Sequence, residues 1–344
     1  MYKNVLAKLT AKQELDDTEV CQLISDINND KLNDVQIAGF QVALLMKGAS
    51  LKELASFAKA MRENCVPLRP NVKREMMDTC GTGGGLSTFN ISTATAIIVA
   101  SAGIPVAKHG SRSISSLSGS ADVLEALGVE INLVPAQVEK MIEEINISFI
   151  YAPLFHPVMC KVLPPEQDLG IKTIFYTIIG PLINPSFAPR HLLGVYKPEL
   201  LDTVAYVAKE IGYTKAMFVH GLDGLDEISL LGKTKIYELK NGEILKYEIA
   251  PEDFGLERCK LEDIKTGTPQ ENAQTIRDVL SKKTKGARRD SIILNSAGAL
   301  VVGGSAENFA QGIVLANELI DSGTAEKKLE ELIEMSNSFK DKAN

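Results

Sequence analysis

Four glycines fall within five residues at positions 81–85, after a short apolar run and before a stretch that favours a helix. Glycine lets the main chain approach a ligand with no side chain between, and a helix N-terminus offers N–H groups and a positive dipole end. Small hydrogen-bonding side chains occupy the expected helix start: Thr88, Asn90, Ser92 and Thr93. The pattern matches neither of two common motifs, GxxxxGK(S/T) and GxGxxG. By itself the pattern fits a phosphate-binding loop and a glycine-rich turn with ordinary helix caps about equally well.

A second polar loop spans residues 108–122. It contains six serines, two glycines and two cations, Lys108 and Arg112, and leads into a helical pattern at Val123–Leu127. Serine hydroxyls and loop amides bind phosphate oxygens, and the two cations would offset their charge. Two such loops suit a ligand that carries phosphate at both ends. The alternative is that Lys108 and Arg112 form a solvated surface pair.

Two adjacent carboxylates, Asp226 and Glu227, lie in a glycine-containing loop after the apolar run Met217–Val219. Carboxylate oxygens are hard ligands suited to Mg²⁺, which usually keeps waters and substrate phosphates in its shell. An acidic pair in a loop is most often simply solvated, but beside a pyrophosphate site it becomes a candidate metal site. The sequence therefore predicts Mg²⁺ as the cofactor.

The elements that would position these loops fall into two classes. The first 68 residues read as short helices, with capping boxes at Asn33–Gln36 and Ser50–Glu53, and Pro67 and Pro70 then stiffen a connection. Beyond it, β-type runs alternate with helical stretches, which predicts an α/β layer with a largely parallel sheet. Strands are expected at Met76–Cys80, Ser148–Ala152, Ala216–His220, Thr234–Leu239 and Ser291–Leu294, and helices at Ser92–Ala102 and, split at Gly323, at Glu307–Met335.

Composition disfavours several classes of protein. Of 344 residues, 45% are hydrophobic and 24% charged, as in a soluble globular enzyme with two structural units. No apolar run reaches the ~18 residues of a membrane span, and charges interrupt the N-terminal segment where a signal peptide would lie. Five scattered cysteines without a CxxC pair argue against disulfides and zinc and favour a reducing cytoplasm. The net charge of −7 disfavours a nucleic-acid surface, with the basic run 282–289 as a local candidate.

The three loops, in this order, resemble those of the anthranilate phosphoribosyltransferase family. Further matching stretches extend the resemblance over nearly the whole chain: Phe155–Met159, Lys172–Phe175, Gly180–Pro185, Leu193–Tyr196 and Arg289–Asn295. The resemblance implies an α/β protein of the nucleoside phosphorylase and phosphoribosyltransferase type. It has a small all-helical domain at 1–68, joined by a helical segment near 162–187 to a larger domain of 71–161 and 188–344 with a mostly parallel sheet.

The resemblance also implies an activity and a partner state. The family forms homodimers and transfers the phosphoribosyl group from phosphoribosyl pyrophosphate to the amine of anthranilate, a step of tryptophan biosynthesis. Because an aromatic amine is a competent nucleophile, no strong general base is expected.

The family's functional residues can be placed on this chain one by one. Donor binding is implied for Gly81, Thr82, Gly84, Gly85, Thr88, Asn90, Ile91, Ser92, Thr93, Lys108, Ser113, Ile114, Ser115, Ser116 and Ser120. Acceptor binding is implied for Gly81, His109, Ser111 and Glu166. Ser92, Asp226 and Glu227 would hold Mg²⁺, and Lys108 with the two carboxylates would serve catalysis.

The chain departs from the family pattern at four places. Its glycine loop, GTGGGLSTFNIST, is one residue shorter and lacks an acidic residue. Ser111 replaces an asparagine, Tyr176 replaces another, and Glu166 replaces an arginine expected to face the anthranilate carboxylate. Glutamate there would turn an attraction into a repulsion. The alternative is a local shift that points Glu166 to solvent and leaves Lys172 or Arg112 to bind the carboxylate.

Three other functions stay open at this point. One is a paralogue that uses a different aromatic or heterocyclic amine without a carboxylate. Another is a pyrimidine nucleoside phosphorylase, which shares the architecture but uses inorganic phosphate as its nucleophile; the Lys108 loop and the Asp226–Glu227 pair fit the first family better. The third is a non-enzymatic nucleic-acid-binding relative, supported by the basic run 282–289.

Overall fold

The structure is a computed structural model that describes residues 1–113 and 117–340. Its α-helices are α1 (Tyr2–Thr10), α2 (Asp17–Asn28), α3 (Asp34–Lys47), α4 (Leu51–Glu63), α5 (Ile91–Ser101), α6 (Ser120–Leu127), α7 (Pro135–Ile145), α8 (Ala152–Phe155), α9 (Pro157–Leu169), α10 (Gly180–Leu182), α11 (Leu201–Glu210), α12 (Leu261–Ile264), α13 (Pro269–Leu280), α14 (Ala287–Gly303), α15 (Phe309–Asp321) and α16 (Thr324–Asn337). A π-helical turn, Phe175–Ile179, precedes α10 directly.

The strands are β1 (Met77–Asp78), β2 (Val106–Gly110), β3 (Ile147–Tyr151), β4 (Arg190–Gly194), β5 (Lys215–Gly221), β6 (Thr234–Lys240) and β7 (Glu243–Ile249). Within the described residues they form a seven-stranded sheet in the order β3-β2-β1-β4-β5-β6-β7. The first five in that order are parallel, and β6 and β7 add an antiparallel hairpin at one edge. The predicted α/β class with a mostly parallel sheet is therefore confirmed.

The N-terminal helices begin where the sequence offers side-chain caps. Asn33 and Ser50 accept the main-chain N–H groups of Gln36 and Glu53, whose side chains in turn accept the N–H groups of the capping residues. This reciprocal arrangement satisfies N–H groups that have no partner inside the helix. The two predicted capping boxes are thus confirmed, and α2 begins with a third at Asp16 that was not predicted.

α9 and the turn behind it pack on the N-terminal helices. α9 contacts α2 and α3, and the Phe175 ring meets the rings of Phe40 and Phe57 edge-on, with centroids 5.9 and 5.6 Å away. Gln41 of α3 also donates to the Val162 carbonyl at 2.9 Å. The segment formed by α9 and the π-helical turn is distant in sequence from the N-terminal helices, but it packs against them.

The expected strand at Ser291–Leu294 is wrong, because these residues lie inside α14. The helix is buried on every side from Ser291 to Gly303, so its apolar residues show no amphipathic period that would distinguish it from a strand. Conversely, β2, β4 and β7 were not predicted. The sequences of β2 and β4, VAKHG and RHLLG, carry polar residues, and β7 is a largely exposed edge strand.

The C-terminal helices follow the prediction. α15 and α16 are separated at Gly323, which adopts a left-handed conformation with φ +82° that glycine accepts at little cost. α16 packs on α5 and α7 and so covers one face of the α/β layer. Within residues 1–113 and 117–340, no helix combines the length and the apolar character that a membrane crossing requires.

The strand order creates a crevice at the carboxyl edge of the sheet. From β1 the chain moves outward through β2 and β3, then returns to β4 on the other side of β1. Loops after two such neighbouring strands diverge, and ligands of open α/β sheets bind in the gap between them. The predicted glycine loop follows β1 directly, so the topology places it at this gap.

Candidate active site

A cavity of about 520 Å³ opens at the carboxyl ends of the parallel strands. Its walls come from the loops after β1, β2 and β5, the start of α5, and α9 with the turn behind it. The predicted site residues that line it are Gly81, Thr82, Gly84, Gly85, Thr88, Asn90, Ile91, Ser92, Lys108, His109, Ser111, Ser113, Ser120, Asp226 and Glu227. Three loops that are separate in sequence therefore surround one space.

The glycine loop packs tightly on the loops after β4 and β5. Thr82 N–H donates to the Gly194 carbonyl at 2.9 Å, and the Thr82 hydroxyl accepts the Tyr196 N–H at 3.0 Å. A Cβ atom on Gly85 would lie 2.7 Å from Asp226 Oδ1, closer than real carbon atoms approach. The glycine at this position is what lets the loop and the carboxylate occupy neighbouring positions.

The start of α5 faces the cavity through Ile91 and Ser92. The capping residue, Asn90, makes no side-chain cap at this positive end of the helix. Its side chain instead donates to the Ser118 carbonyl at 3.2 Å and accepts from Asn272 at 3.0 Å. Asn90 therefore connects the glycine loop and the serine-rich second loop to each other and to α13.

Lys108 is buried and lines the cavity beside the glycine loop and the start of α5. Its side chain is on β2, the residue is 3% exposed, and its Nζ lies 3.3 Å from Thr79 Oγ1 and 3.4 Å from Ser92 Oγ. A buried ammonium group among neutral hydroxyls is costly unless an anion offsets its charge. The placement contradicts a solvated surface lysine and supports an anion-binding one.

Arg112 has a different role from the predicted one. Its guanidinium donates to Asp122 at 3.0 Å and to Glu125 at 2.5 and 2.9 Å, so two carboxylates already offset its charge. Asp122 also accepts the N–H groups of Ser113 and Gly119 at 3.1 and 2.8 Å. This cluster shapes the second loop, and the structure assigns Arg112 to that task instead of to phosphate binding.

Asp226 and Glu227 border the cavity after β5. Burial raises the pKa of Asp226, and burial together with the neighbouring Asp226 charge raises the pKa of Glu227 to about 8. Lys108 and the backbone of Ser92 act in the opposite direction on Glu227. Burial and mutual repulsion make negative charge costly at this pair, and a nearby divalent cation would offset that cost.

The donor set at this point fits Mg²⁺. The carboxylate oxygens and the Ser92 hydroxyl are hard ligands, and substrate phosphates commonly complete the octahedral shell of this ion. Among the residues that the structure describes, no cluster of three or more histidine, cysteine, aspartate or glutamate side chains forms a metal site by itself.

Two histidines meet in the wall of the cavity. His109 Nε2 and His156 Nε2 are 3.1 Å apart, so one ring donates and the other accepts. Burial lowers the pKa of His109 to about 4, and burial followed by the His109 charge keeps the pKa of His156 well below its ordinary value. Their Nδ1 atoms have no hydrogen-bond partner among the described residues. The pair is uncharged at neutral pH and offers hydrogen-bonding capacity in place of charge.

The opposite wall is largely apolar. It consists of Met159 and Leu163 from α9, Tyr176 from the π-helical turn, and Pro181 from α10. Lys172 lies on the same wall with its Nζ 4.9 Å from the centre of the Tyr176 ring. Apolar and aromatic surface with one polar group is typical of a pocket for a small aromatic ligand. Sequence reasoning missed Met159 and Leu163 because nothing distinguishes them from ordinary helix residues.

Glu166 and Thr93 do not line the cavity. Glu166 is 3% exposed, and its carboxylate accepts the Thr173 hydroxyl, the Thr173 N–H at 3.3 Å and Gln41 Nε2 at 3.3 Å. The structure thus matches neither the predicted contact of Glu166 with the acceptor nor its exposure to solvent, because this face of α9 packs on α3. Thr93 lies on the buried side of α5. Ile114, Ser115 and Ser116 fall outside the described residues.

Asp78, at the end of β1, was not predicted as a site residue. Its Oδ1 accepts the N–H groups of Thr79, Cys80 and His109 at 2.7, 3.0 and 3.1 Å, and its Oδ2 accepts Asn184 Nδ2 at 2.7 Å. This buried carboxylate holds the start of the glycine loop beside the end of β2. Its only sequence signal was an aspartate that ends an apolar run directly before the glycines.

Comparisons with known proteins agree with this arrangement. The profile described as "Glycosyl transferase family, a/b domain" matches residues 73–326, and "Glycosyl transferase family, helical bundle domain" matches residues 3–65. The anthranilate phosphoribosyltransferase of Acetivibrio thermocellus is 47% identical over 340 residues, which cover 98% of each chain.

Two solved structures share the fold over nearly their full length. The anthranilate phosphoribosyltransferase of Thermus thermophilus superposes with a TM-score of 0.89 at 36% identity, covering 96% of this chain and 99% of that one. The Saccharomyces cerevisiae enzyme in complex with PRPP (phosphoribosyl pyrophosphate) and Mg gives a TM-score of 0.89 at 29% identity over 98% of both chains. On this full-length identity and shared architecture, the chain belongs to the anthranilate phosphoribosyltransferase family.

Proposed function

We propose that the protein transfers the 5-phosphoribosyl group of phosphoribosyl pyrophosphate (PRPP) to the amine of anthranilate, with release of pyrophosphate, in tryptophan biosynthesis. The proposal rests on one observation: a single cavity is lined in one part by polar loops that suit a phosphorylated donor. Another part of the lining is apolar and suits an aromatic ring. The relative from Acetivibrio thermocellus bears this activity in its name, and the yeast structure contains PRPP and Mg.

At the donor end, loop amides and serine hydroxyls bind the phosphate oxygens, and Lys108 places its charge beside the departing pyrophosphate. Asp226, Glu227 and Ser92 would hold Mg²⁺, which supplies further positive charge to the leaving group. Bond breaking leaves positive charge on the ribose, as in glycoside hydrolysis. The residues therefore act mainly by positioning the donor and by stabilising charge.

At the acceptor end, the amine lone pair forms a bond to the anomeric carbon as the carbon–oxygen bond to pyrophosphate breaks. The ammonium product of that step is acidic and then gives its proton to solvent, so no strong base is needed. The uncharged His109–His156 pair hydrogen-bonds in this region without repelling a developing cation. We place this wall on the helical domain, 1–68 with the joining segment near 162–187, and the donor end on the α/β domain, 71–161 and 188–344.

The nucleic-acid-binding alternative loses the support of the two arginines in the basic run. Within the basic run 282–289, Arg288 donates to Thr275 Oγ1 at 2.7 Å and Arg289 to Asp321 Oδ1 at 2.8 Å. These arginines connect helices of the fold, and so they do not form a free cationic surface.

We propose that the protein is a homodimer in the cytoplasm. α3 and the start of α4 expose a group of apolar side chains, among them Val35 at 80% and Met46 at 77%, together with Val42, Leu45 and Leu51. Large apolar side chains exposed together on neighbouring elements commonly pair with a second copy. Free thiols at all five cysteines fit a reducing compartment. Sedimentation of Met46→Glu should show monomer where the wild type shows dimer.

The activity is tested by following anthranilate fluorescence on addition of PRPP and Mg²⁺. The proposal expects loss of fluorescence in step with pyrophosphate release, and dependence on both PRPP and Mg²⁺. Isothermal titration of PRPP with Mg²⁺ tests the donor end separately. If the donor binds but anthranilate is never consumed, the acceptor is wrong; if neither occurs, the whole proposal fails.

A further inference from the structure

Three cationic side chains line the cavity in the described part of the chain, and they differ in what surrounds them. Lys108 is buried at the donor end between Thr79 and Ser92, and Arg112 is held by two carboxylates. Lys172 has neither arrangement. No carboxylate of the described residues lies within ion-pair distance of its Nζ. Lys172 therefore lines the cavity with a positive charge that no carboxylate of the described residues offsets.

The neighbours of Lys172 suit an aromatic ligand with one negative group. Its Nζ lies over the Tyr176 ring, which is on the same wall as Met159 and Leu163. A flat apolar ring can lie on this surface while its carboxylate meets the ammonium group. The cation–π contact with Tyr176 also limits where the ammonium group goes, because the ring attracts the cation to its face.

Glu166 fixes the backbone from which Lys172 projects. Its carboxylate accepts both the hydroxyl and the N–H of Thr173, the next residue, and Gln41 of α3 donates to the same carboxylate. The Glu166 carbonyl accepts the N–H of Ile171 on the other side of Lys172. The turn that carries Lys172 is thus fastened at both flanking residues.

Glu166 does not face a carboxylate bound in the cavity. Its side chain is buried between α9 and α3 and is not part of the cavity lining. Its hydrogen bonds are directed at the turn and at α3, with none toward the cavity.

We propose that Lys172 binds the carboxylate of the acceptor and that Glu166 is the positioning residue that sets the turn for it. This inference rests on the proposed function and deepens it, since it selects aromatic amines that carry a carboxylate over uncharged amines. It also assigns a purpose to a glutamate that sequence comparison alone places in contact with the acceptor.

The main test measures steady-state constants for Lys172→Ala, Lys172→Arg and Lys172→Glu. Lys172→Ala should raise the KM for anthranilate about tenfold, the size of a lost charge-assisted hydrogen bond, with the KM for PRPP unchanged. Lys172→Arg should restore most of the affinity, and Lys172→Glu should be worse than alanine. The matched control is Lys197→Ala, which removes a lysine that likewise lies over a tyrosine ring, at 5.4 Å, but does not line the cavity. An unchanged anthranilate KM in Lys172→Ala overturns the inference.

A binding measurement separates this inference from the proposed function. Benzoate carries the carboxylate without the nucleophilic amine, and aniline carries the amine without the carboxylate. With PRPP and Mg²⁺ present, wild-type protein should bind benzoate more tightly than aniline, and Lys172→Ala should lose that preference. If the preference survives the substitution, the inference is wrong even when anthranilate is turned over. If the preference depends on Lys172 but anthranilate is not consumed, only the proposed acceptor is wrong.

Glu166 is tested by the contrast between two substitutions. Glu166→Gln keeps a carbonyl oxygen for Thr173 and should leave the anthranilate KM within about twofold, whereas Glu166→Ala should raise it with kcat and the PRPP KM little changed. A purely structural role would lower stability in Glu166→Ala without this selective effect on KM. Equal KM values in all three proteins would remove Glu166 from the inference.

Discussion

The donor end of the cavity is built from strand ends and loop backbone, whereas the acceptor wall is built from side chains of α9 and the turn behind it. At the donor end, Asp78, Asn90 and Thr82 fix the loops through hydrogen bonds of 2.7 to 3.2 Å. The acceptor wall has few such bonds facing the cavity and consists mainly of apolar surface with a lysine. Polar networks fail when one member is lost, but apolar walls tolerate substitution.

This difference agrees with two of the chain's departures from its family, Glu166 and Tyr176, which belong to the acceptor side; the shortened glycine loop at the donor end is a departure that it does not explain. The polar residues at the donor end depend on one another, so a change at any of them leaves a buried group unsatisfied. On the acceptor side, a charge can be provided from a neighbouring turn if the wall keeps its shape. Glu166 and Lys172 are the example: the first fixes the turn, and the second lines the cavity, where we propose that it binds the acceptor.

The largest effect should come from the carboxylate pair. Glu227→Gln removes a carboxylate that we assign to Mg²⁺ and should lower kcat/KM for PRPP by about 10²–10³-fold, as for other groups that stabilise transition-state charge. Anthranilate affinity should stay close to that of the wild type, because the acceptor wall is separate. Chelation of Mg²⁺ should reduce the kcat/KM of the wild type to that of the variant, and it should change the kcat/KM of the variant little. Steady-state kinetics with either substrate varied checks this, and equal losses for both substrates would contradict the division into two ends.

Acidification should destabilise the protein through the histidine pair. Burial keeps the pKa of His109 at about 4, below its ordinary value of 6.5, so the unfolded chain binds more protons between these values. The contribution of this histidine to the free energy of unfolding is therefore fully present above pH 6.5. It is lost as the pH falls toward 4, by up to about 3 kcal/mol. The thermal unfolding midpoint should decrease from pH 7 to pH 5, and the decrease should be smaller in His156→Asn than in the wild type, because the variant has only one buried imidazole of the pair to protonate. The same pH dependence in both proteins would argue against a neutral pair.

The sequence predicted the donor end far better than the acceptor wall. Glycines before a helix start, a serine-rich loop and paired carboxylates have distinctive types and spacings, and the topology brings them together at one sheet edge. Leu163 and Tyr176 have no such signature, since their position depends on how α9 packs against α3 and on a π-helical turn. Arg112 and Glu166 were misplaced because residue type does not show which partner a charged side chain will choose.

The difference between the donor end and the acceptor side should also appear when two glycines are replaced, Gly85 at the donor end and Gly170 at the end of α9. A Cβ atom on Gly85 would collide with Asp226 Oδ1, so Gly85→Ala should displace the carboxylate and raise the KM for PRPP about tenfold. Gly170 ends α9 at φ +66° with nothing within 4 Å of its Cβ position, so Gly170→Ala should cost about 1 kcal/mol of stability by backbone strain alone. Kinetics and thermal unfolding of both variants test the contrast. A normal PRPP KM in Gly85→Ala would show that the glycine loop is not coupled to the metal site.

The smallest effect separates a ligand-binding role for Glu227 from a structural one. In the folded protein the pKa of Glu227 is raised from 4.5 to about 8. Between these two pH values the Glu227 carboxyl is therefore protonated to a greater extent in the folded state than in the unfolded state. Stability therefore decreases as pH rises through that window, and at pH 8 the metal-free protein carries an unfavourable charge beside Asp226. Glu227→Gln removes the charge and should raise the unfolding temperature of metal-free protein by about 2 °C at pH 8, with little change at pH 5. A structural carboxylate would give the opposite sign, because its loss would leave hydrogen-bond partners unsatisfied. A gain in stability that accompanies a loss of activity would indicate that the pair is kept for the cation and the donor it binds.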